Sequence, residues 1–323
     1  MKTLRIVVWG LGSHAINKIL PAISLTSGLK LYGVCSRNNT SVTLCSEHWN
    51  CKGWLDPLFM LLDPLVDVVY VATPIGLHYL HGKLVLDAGK HFWCEKPLTS
   101  SIENTSELLK LSRNKNLSVC EGQMYLYHPQ FNQLSRYLRD GRLGSIMSIA
   151  CRFGIPPLAN PGFRSDPALG GGALFDVGCY PLSAIQALFS DAMFNVEYLN
   201  ILAQDGGVDT SGEAVIHLSN GITAFLEWRI NCSYRNEIEI WGEKGSVFTE
   251  RIFSKLHNYV PVFRFKDIKG FEVTELGEVA DHYVLMLKHF CSIINDPVAS
   301  ERHRQSICQR AEILDKILTK SQI

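Results

Sequence analysis

Charge of one sign is missing from this sequence. Its 323 residues carry 31 Lys and Arg against 31 Asp and Glu, a formal balance of zero. A nucleic-acid or anionic-membrane partner asks for a basic excess, so neither is expected. Long apolar runs are missing as well. No uninterrupted stretch of the ~18 apolar residues that read as a membrane helix occurs. The first apolar segment, Leu4 to Trp9, is short and enters a glycine turn. It reads as a buried strand rather than a secretory signal, and a cytoplasmic location is expected. None of the ten cysteines forms a C-x-x-C pair. Buried free thiols are expected in place of a disulfide framework. Cys45, His48 and Cys51 cluster in sequence, but a fourth ligand and the usual spacing are absent, so no metal is expected. Repeats and low-complexity segments are absent too.

What is present is ample apolar material, 46% of residues, in a chain too long for one core. The first part alternates strands with helices. Strands are expected at 4–9, 29–35, 67–72, 91–94 and 117–121. Helices are expected at 14–26, with a break near Pro21, and at 78–88 and 102–114. Such β-α-β repetition predicts a doubly wound parallel sheet. After residue 122 the pattern changes to a helix at 129–139, then strand-like runs joined by short turns such as Ser219-Asn220-Gly221. A helix at 173–189 is inserted early, and two helices close the chain at about 280–294 and 301–320. The expected fold is α/β plus α+β. Residues 1–121 form a dinucleotide-binding Rossmann domain. Residues 122–323 form a mainly antiparallel α+β sheet domain, expected to bind substrate.

Gly10-Leu11-Gly12-Ser13-His14-Ala15 fits G-x-G-x-x-A directly after a strand and at the start of a helix. The glycines let backbone approach a pyrophosphate, and the helix N-terminus favours its charge. A site for NAD usually ends the second strand with Asp or Glu, which accepts from the ribose hydroxyls. Here that strand ends Val34-Cys35-Ser36-Arg37, with no acid before Glu47. Ser36 can donate to a 2′-phosphate and Arg37 can pair with it, which points to NADP(H). Thr73 and Pro74 end the 67–72 strand at the edge where ligands bind, so nicotinamide-ribose contacts are expected. His78 on the next helix has two readings, ligand contact or helix cap. Gln123, just past the last parallel strand, is placed with the cofactor contacts.

Glu95-Lys96-Pro97 follows the next strand, on the same edge. With this loop, the glycine turn, Thr73-Pro74 and the run Gly170-Gly171-Gly172-Ala173-Leu174-Phe175-Asp176-Val177-Gly178-Cys179-Tyr180, the chain resembles the Gfo/Idh/MocA (glucose–fructose oxidoreductase/inositol dehydrogenase) family over nearly its whole length. That resemblance implies that Glu95 and Lys96 lie near the nicotinamide, Lys96 also near the substrate. It further implies that the open sheet face serves a homodimer or homotetramer. Many members carry histidine where Tyr180 stands. The tyrosine matches a subset with glucose–fructose oxidoreductase, dihydrodiol dehydrogenases and bacterial sugar ketoreductases.

Carbonyl reduction builds negative charge on oxygen and needs a cation and a proton donor there. A free tyrosine, with pKa ~10, is protonated at neutral pH. The expectation is that Tyr180 donates the proton while Lys96 holds the oxygen; the reverse allocation stays open. Asp176, four residues before Tyr180, has two roles open to it, binding a substrate hydroxyl or orienting Lys96. Phe163-Arg164-Ser165-Asp166-Pro167, Tyr180-Pro181-Leu182, Trp241-Gly242 and Glu250-Arg251-Ile252-Phe253 look most like the sugar nucleotide 3-ketoreductases. This implies NADPH-dependent reduction of a keto group on a nucleotide-linked deoxyhexose. Arg164 would meet cofactor or a substrate phosphate, or else a surface ion pair. Tyr125 and His128 would line the pocket, or His128-Pro129 would be a plain hinge. Alternatives are an NADP-dependent sugar or trans-dihydrodiol dehydrogenase and, from another class, a non-catalytic NADP-binding sensor.

Overall fold

The computed structural model describes residues 3–203 and 207–321. The chain divides into two compact units. One holds residues 1–123 and 283–311, the other 124–282 and 312–323.

The first unit is built on a six-stranded parallel sheet. Its strands are β1 (Leu4–Trp9), β2 (Leu29–Cys35), β3 (Lys52–Trp54), β4 (Val68–Val71), β5 (His91–Cys94) and β6 (Val119–Glu121), in the order β3-β2-β1-β4-β5-β6. Every residue of β4 is buried, as a sheet covered on both faces requires. That cover explains a departure from expectation. Residues 283–311, expected in the second domain, group with the first unit. Phe290 meets Trp93 edge-on at 5.3 Å, and Ile307 joins the core cluster of Val119, Leu117 and Phe92. The helix Asn39–Trp49, the short β3 and the helix Pro57–Leu62 carry no strong periodic signal and were not expected. Asn39–Trp49 buries only Val42 and Cys45, so its stripe is thin. Two glycines let these pieces pack closely: a Cβ on Gly33 would lie 2.2 Å from the Trp54 ring, and one on Gly53 would lie 2.6 Å from Val42.

The second unit carries an eight-stranded mixed sheet. Its strands are β7 (Ile146–Gly154), β8 (Phe194–Ala203), β9 (Asp209–Leu218), β10 (Thr223–Arg229), β11 (Arg235–Gly242), β12 (Gly245–Glu250), β13 (Val262–Asp267) and β14 (Glu272–Leu276), in the order β14-β13-β12-β11-β7-β10-β9-β8. All pairings are antiparallel except β7 with β10. Pro167–Leu188 is apolar enough in composition to cross a membrane, but 72% of its apolar window is buried in the protein, so it is a core element.

Prolines 21 and 181 share a structural solution. The break expected at Pro21 resolves into a five-residue π-helical turn just upstream, Ala15–Ile19, and Pro181 is preceded by another, Leu174–Gly178. In each, the residue after the turn donates across five residues, Leu20 to Ala15 O and Cys179 to Leu174 O. A proline inside an α-helix clashes with the carbonyl four residues back, and a wider turn relieves the crowding. Both helices therefore run on, through Leu25 and Leu188.

Candidate active site

In the first unit the glycine turn lies against the neighbouring strands. Gly10 has φ +105°, and its N–H donates to Cys35 O at 2.9 Å. A Cβ there would lie 2.7 Å from the Ala72 carbonyl, so only glycine fits. A Cβ on Gly12, by contrast, would meet nothing within 4 Å. Ser13 and His14 are exposed at the same turn, whereas Leu11 turns inward. Close backbone packing at the first glycine with open space at the second suits a pyrophosphate over a helix start. The end of β2 sits beside this turn. Ser36 Oγ accepts from Asn38 N at 3.2 Å, and Arg37 is exposed.

Beyond β4, Thr73 Oγ1 bonds His81 Nδ1 at 2.9 Å, and the His81 ring stacks on Trp9 at 3.9 Å. His81 was not singled out from sequence; only the fold brings it under Thr73. Pro74 is half-buried. The cofactor contact expected of His78 is corrected. Its ring is fully buried, with Nδ1 3.0 Å from Pro97 O and Nε2 2.8 Å from Thr73 O. It braces the two loops that end β4 and β5. Burial favours the neutral ring and lowers its pKa, against the two carbonyls.

Glu95 is the electrostatic centre of this half. Its Oε1 receives Tyr70 Oη at 2.6 Å and lies 3.1 Å from His14 Nε2, while His14 packs edge-on against Tyr283 at 5.5 Å. Burial alone would raise the Glu95 pKa. His14, the Tyr70 hydroxyl and Lys96 outweigh it and hold the carboxyl at about 2. Lys96 is half-buried and precedes a cis Pro97. The loop is tied from below: Leu98 N donates to Glu121 Oε1 at 2.9 Å, and Arg310 Nε donates to Glu121 Oε2 at 2.6 Å. This ion pair is 93% or more buried on both sides. Arg310 carries no motif and was missed from sequence. Gln123, next along, is buried.

In the second unit the glycine run serves packing. A Cβ on Gly171 would lie 2.6 Å from Arg164 O, one on Gly172 2.2 Å from Asp209 Oδ1, and one on Gly178 2.9 Å from the Trp228 ring. The run thereby seats Arg164 on Asp176, Nε to Oδ2 at 2.7 Å. Of the readings open for these residues, the structure displays this ion pair, half-buried. Tyr180 sits in an aromatic box. Its ring lies 5.1 Å from Phe153, 5.7 Å from Phe253 and 5.8 Å from Tyr125, and its hydroxyl is 3.8 Å from Met124 Sδ.

Two expected pocket residues are corrected. Tyr125 is fully buried beneath Tyr180, with its hydroxyl 2.7 Å from Ser183 Oγ. His128 is fully buried and caps the helix Pro129–Arg139, Nδ1 accepting from Gln130 N at 3.0 Å. Burial, then the charge of Lys255, lowers its pKa to about 4. Both rings therefore build the site from behind. Lys255 is itself buried, with Nζ donating to Ile252 O at 2.8 Å, and burial lowers its pKa to about 7.

Among the described residues no group of histidines, cysteines and acids could hold a metal. All ten cysteines are free.

Residues 4–123 match the model of the oxidoreductase family with NAD-binding Rossmann fold, and residues 131–248 match the GFO/IDH/MocA C-terminal domain. A dTDP-3,4-didehydro-2,6-dideoxy-alpha-D-glucose 3-reductase of Saccharopolyspora spinosa is 31% identical, over 98% of this chain and 97% of its own. The chain belongs to the GFO/IDH/MocA oxidoreductases. KijD10, a 3-ketoreductase from Actinomadura kijaniata solved with NADP and TDP-benzene, superposes with a TM-score of 0.92 at 28% identity, covering 98% of both chains. A phenylalanine-for-tyrosine and an alanine-for-lysine variant of that protein have also been solved. A D-xylose 1-dehydrogenase (NADP(+)) of Haloferax volcanii is 34% identical over 68% of this chain and 67% of its own.

Proposed function

We propose that this oxidoreductase uses NADPH to reduce the 3-keto group of a dTDP-linked deoxyhexose. The observation that carries the reading is the full-length likeness to the Saccharopolyspora spinosa 3-reductase, together with a lysine at 96 and a tyrosine at 180. NADPH, when bound, supplies the hydride that the carbonyl carbon receives. Gly10 to His14 hold its pyrophosphate and Ser36 with Arg37 its 2′-phosphate, and Thr73, Pro74, Glu95 and Gln123 flank its ribose and nicotinamide. Lys96 places positive charge on the substrate oxygen, and Glu95 orients that lysine. Tyr180 donates the proton that completes the alcohol, from a box walled by Phe153 and Phe253. Asp176, aligned by Arg164, receives a sugar hydroxyl. The open face of the eight-stranded sheet pairs subunits into a homodimer or homotetramer, and the ten free cysteines suit a reducing cytoplasm.

The test is an NADPH-consumption assay on dTDP-linked 3-keto sugars, with free ketoses and dicarbonyls alongside. Turnover confined to the nucleotide-linked sugars is expected. NADP reduction with free xylose or a trans-dihydrodiol would instead support a dehydrogenase, the reading that the likeness to the Haloferax volcanii enzyme favours.

A further inference from the structure

The turn that follows β12 is unusual in the second unit. Arg251 occupies the left-handed region, φ +52°, which long side chains avoid. Such a conformation persists where the surroundings hold it. Here the holder is Asn236, itself buried. Its Nδ2 donates to Ser254 O and Tyr234 Oη, both at 2.9 Å, and its Oδ1 accepts from Phe253 N at 2.9 Å. The consequence is that the exposed guanidinium lies over two rings, 5.3 Å from the Tyr234 centroid and 5.8 Å from Tyr259. The adjacent acid, Glu250, is taken by Arg264 at 3.0 Å. Among the described residues Arg251 forms no ion pair with a carboxylate. Two residues on, Phe253 forms one wall of the box around Tyr180. Two residues of chain span at most ~7 Å, so Arg251 and the Tyr180 wall belong to one small turn.

From this arrangement we infer that Arg251 is the receptor for the diphosphate of the substrate. It is a specificity-determining residue that selects nucleotide-linked sugars over free ones, and Asn236 is the positioning residue that aims it. An exposed guanidinium beside aromatic rings, with no carboxylate on it, keeps its fork of donors available to two phosphate oxygens. The diphosphate is attached to the sugar ring whose carbonyl is to meet Tyr180, so a turn that both walls Tyr180 and displays a cation meets the two parts of one ligand. The inference rests on the sugar-nucleotide reading above.

Calorimetric titration of the NADP-loaded chain with thymidine diphosphate tests it. Two variants delete the guanidinium while tolerating the left-handed backbone, Arg251→Gly and Arg251→Asn. Both are expected to lose affinity on the order of 10- to 100-fold, with NADP affinity unchanged, and Arg251→Lys to recover part of the loss. Wild-type affinity for thymidine diphosphate in either folded variant would overturn the role of Arg251 and leave the sugar-nucleotide reading standing. A wild-type chain that binds no thymidine diphosphate would overturn both.

Discussion

The two units hold their functional side chains by different physics. In the first, Lys96 stands in a web of charge. Its neighbour Glu95 is bonded by Tyr70 and His14, and the loop behind it hangs on the buried Glu121–Arg310 pair. In the second, Tyr180 stands in a box of rings, with Phe153, Phe253 and Tyr125 all within 5.8 Å. Charges give directional hold, and their cost is severe when one partner is lost. Rings give a rigid apolar wall that fixes a side chain by packing and edge-to-face contacts. The roles proposed for the two residues, a cation held at one oxygen and a proton donor, match these two devices.

The sharpest way to break this contrast is at the two residues themselves. Tyr180→Phe keeps the ring in its box and removes the proton, so kcat is expected to fall by 10²- to 10⁴-fold, on the order of general-acid effects. NADPH affinity, measured by thermal shift, is expected to stay within twofold on the order-of-magnitude scale of a residue that does not touch it. Full turnover in this variant would remove the acid role and hand it to Lys96. Next in size is the web beneath Lys96. Arg310→Met leaves Glu121 buried without its partner and is expected to cost about 3–5 kcal/mol in urea unfolding. Phe253→Ala, the matching lesion in the second unit, is expected to cost about 3–5 kcal/mol by opening a cavity. The two lesions differ in kind, since one strands a buried charge and the other opens an apolar cavity.

Lys255 gives a pH signature of its own. Burial lowers its pKa from 10.5 to about 7. Between these values the unfolded chain holds the proton that the folded chain lacks, so stability rises with pH through that window and falls as pH drops toward 7. The gain amounts to about 5 kcal/mol at most. In Lys255→Met the rise is expected to vanish from unfolding midpoints measured between those limits, and an unchanged slope would assign it to other groups. The smallest effect concerns cofactor choice. Arg37→Ala is expected to cut the preference for NADPH over NADH by about tenfold, the worth of one exposed charge-assisted contact. Equal stabilisation of the wild type by both cofactors would remove Ser36 and Arg37 from the 2′-phosphate site.

Much of this could be read from the chain. Gly10 and Gly12 sit where a strand meets a helix, the 67–72 run is too apolar to be anything but an inner strand, and Glu95-Lys96-Pro97 and the 170–180 run carry the family pattern. The periodic signals were strong there because each segment buries a full face. They were weak for Asn39–Trp49 and β3, which bury little and rely on Gly33 and Gly53 for closeness. The sequence also marked His78, Tyr125 and His128 as polar residues near the chemistry without telling which way they face. All three point inward, because a carbonyl pair, Ser183 and a helix start offer them partners there.

Periodicity and motif spacing thus determined the class of fold and the glycine turn of the cofactor cradle, since these depend on neighbours in the chain, while the proposed pair Lys96 and Tyr180 came from the family pattern. Long-range packing decided the rest. Arg310 meets Glu121 across 189 positions, His81 comes under Thr73 only because a helix folds back on its strand, and Arg251 is aimed by Asn236 from a neighbouring strand. Such partners leave no local trace, because a hydrogen bond or an ion pair is set by distance in space and not by spacing along the backbone.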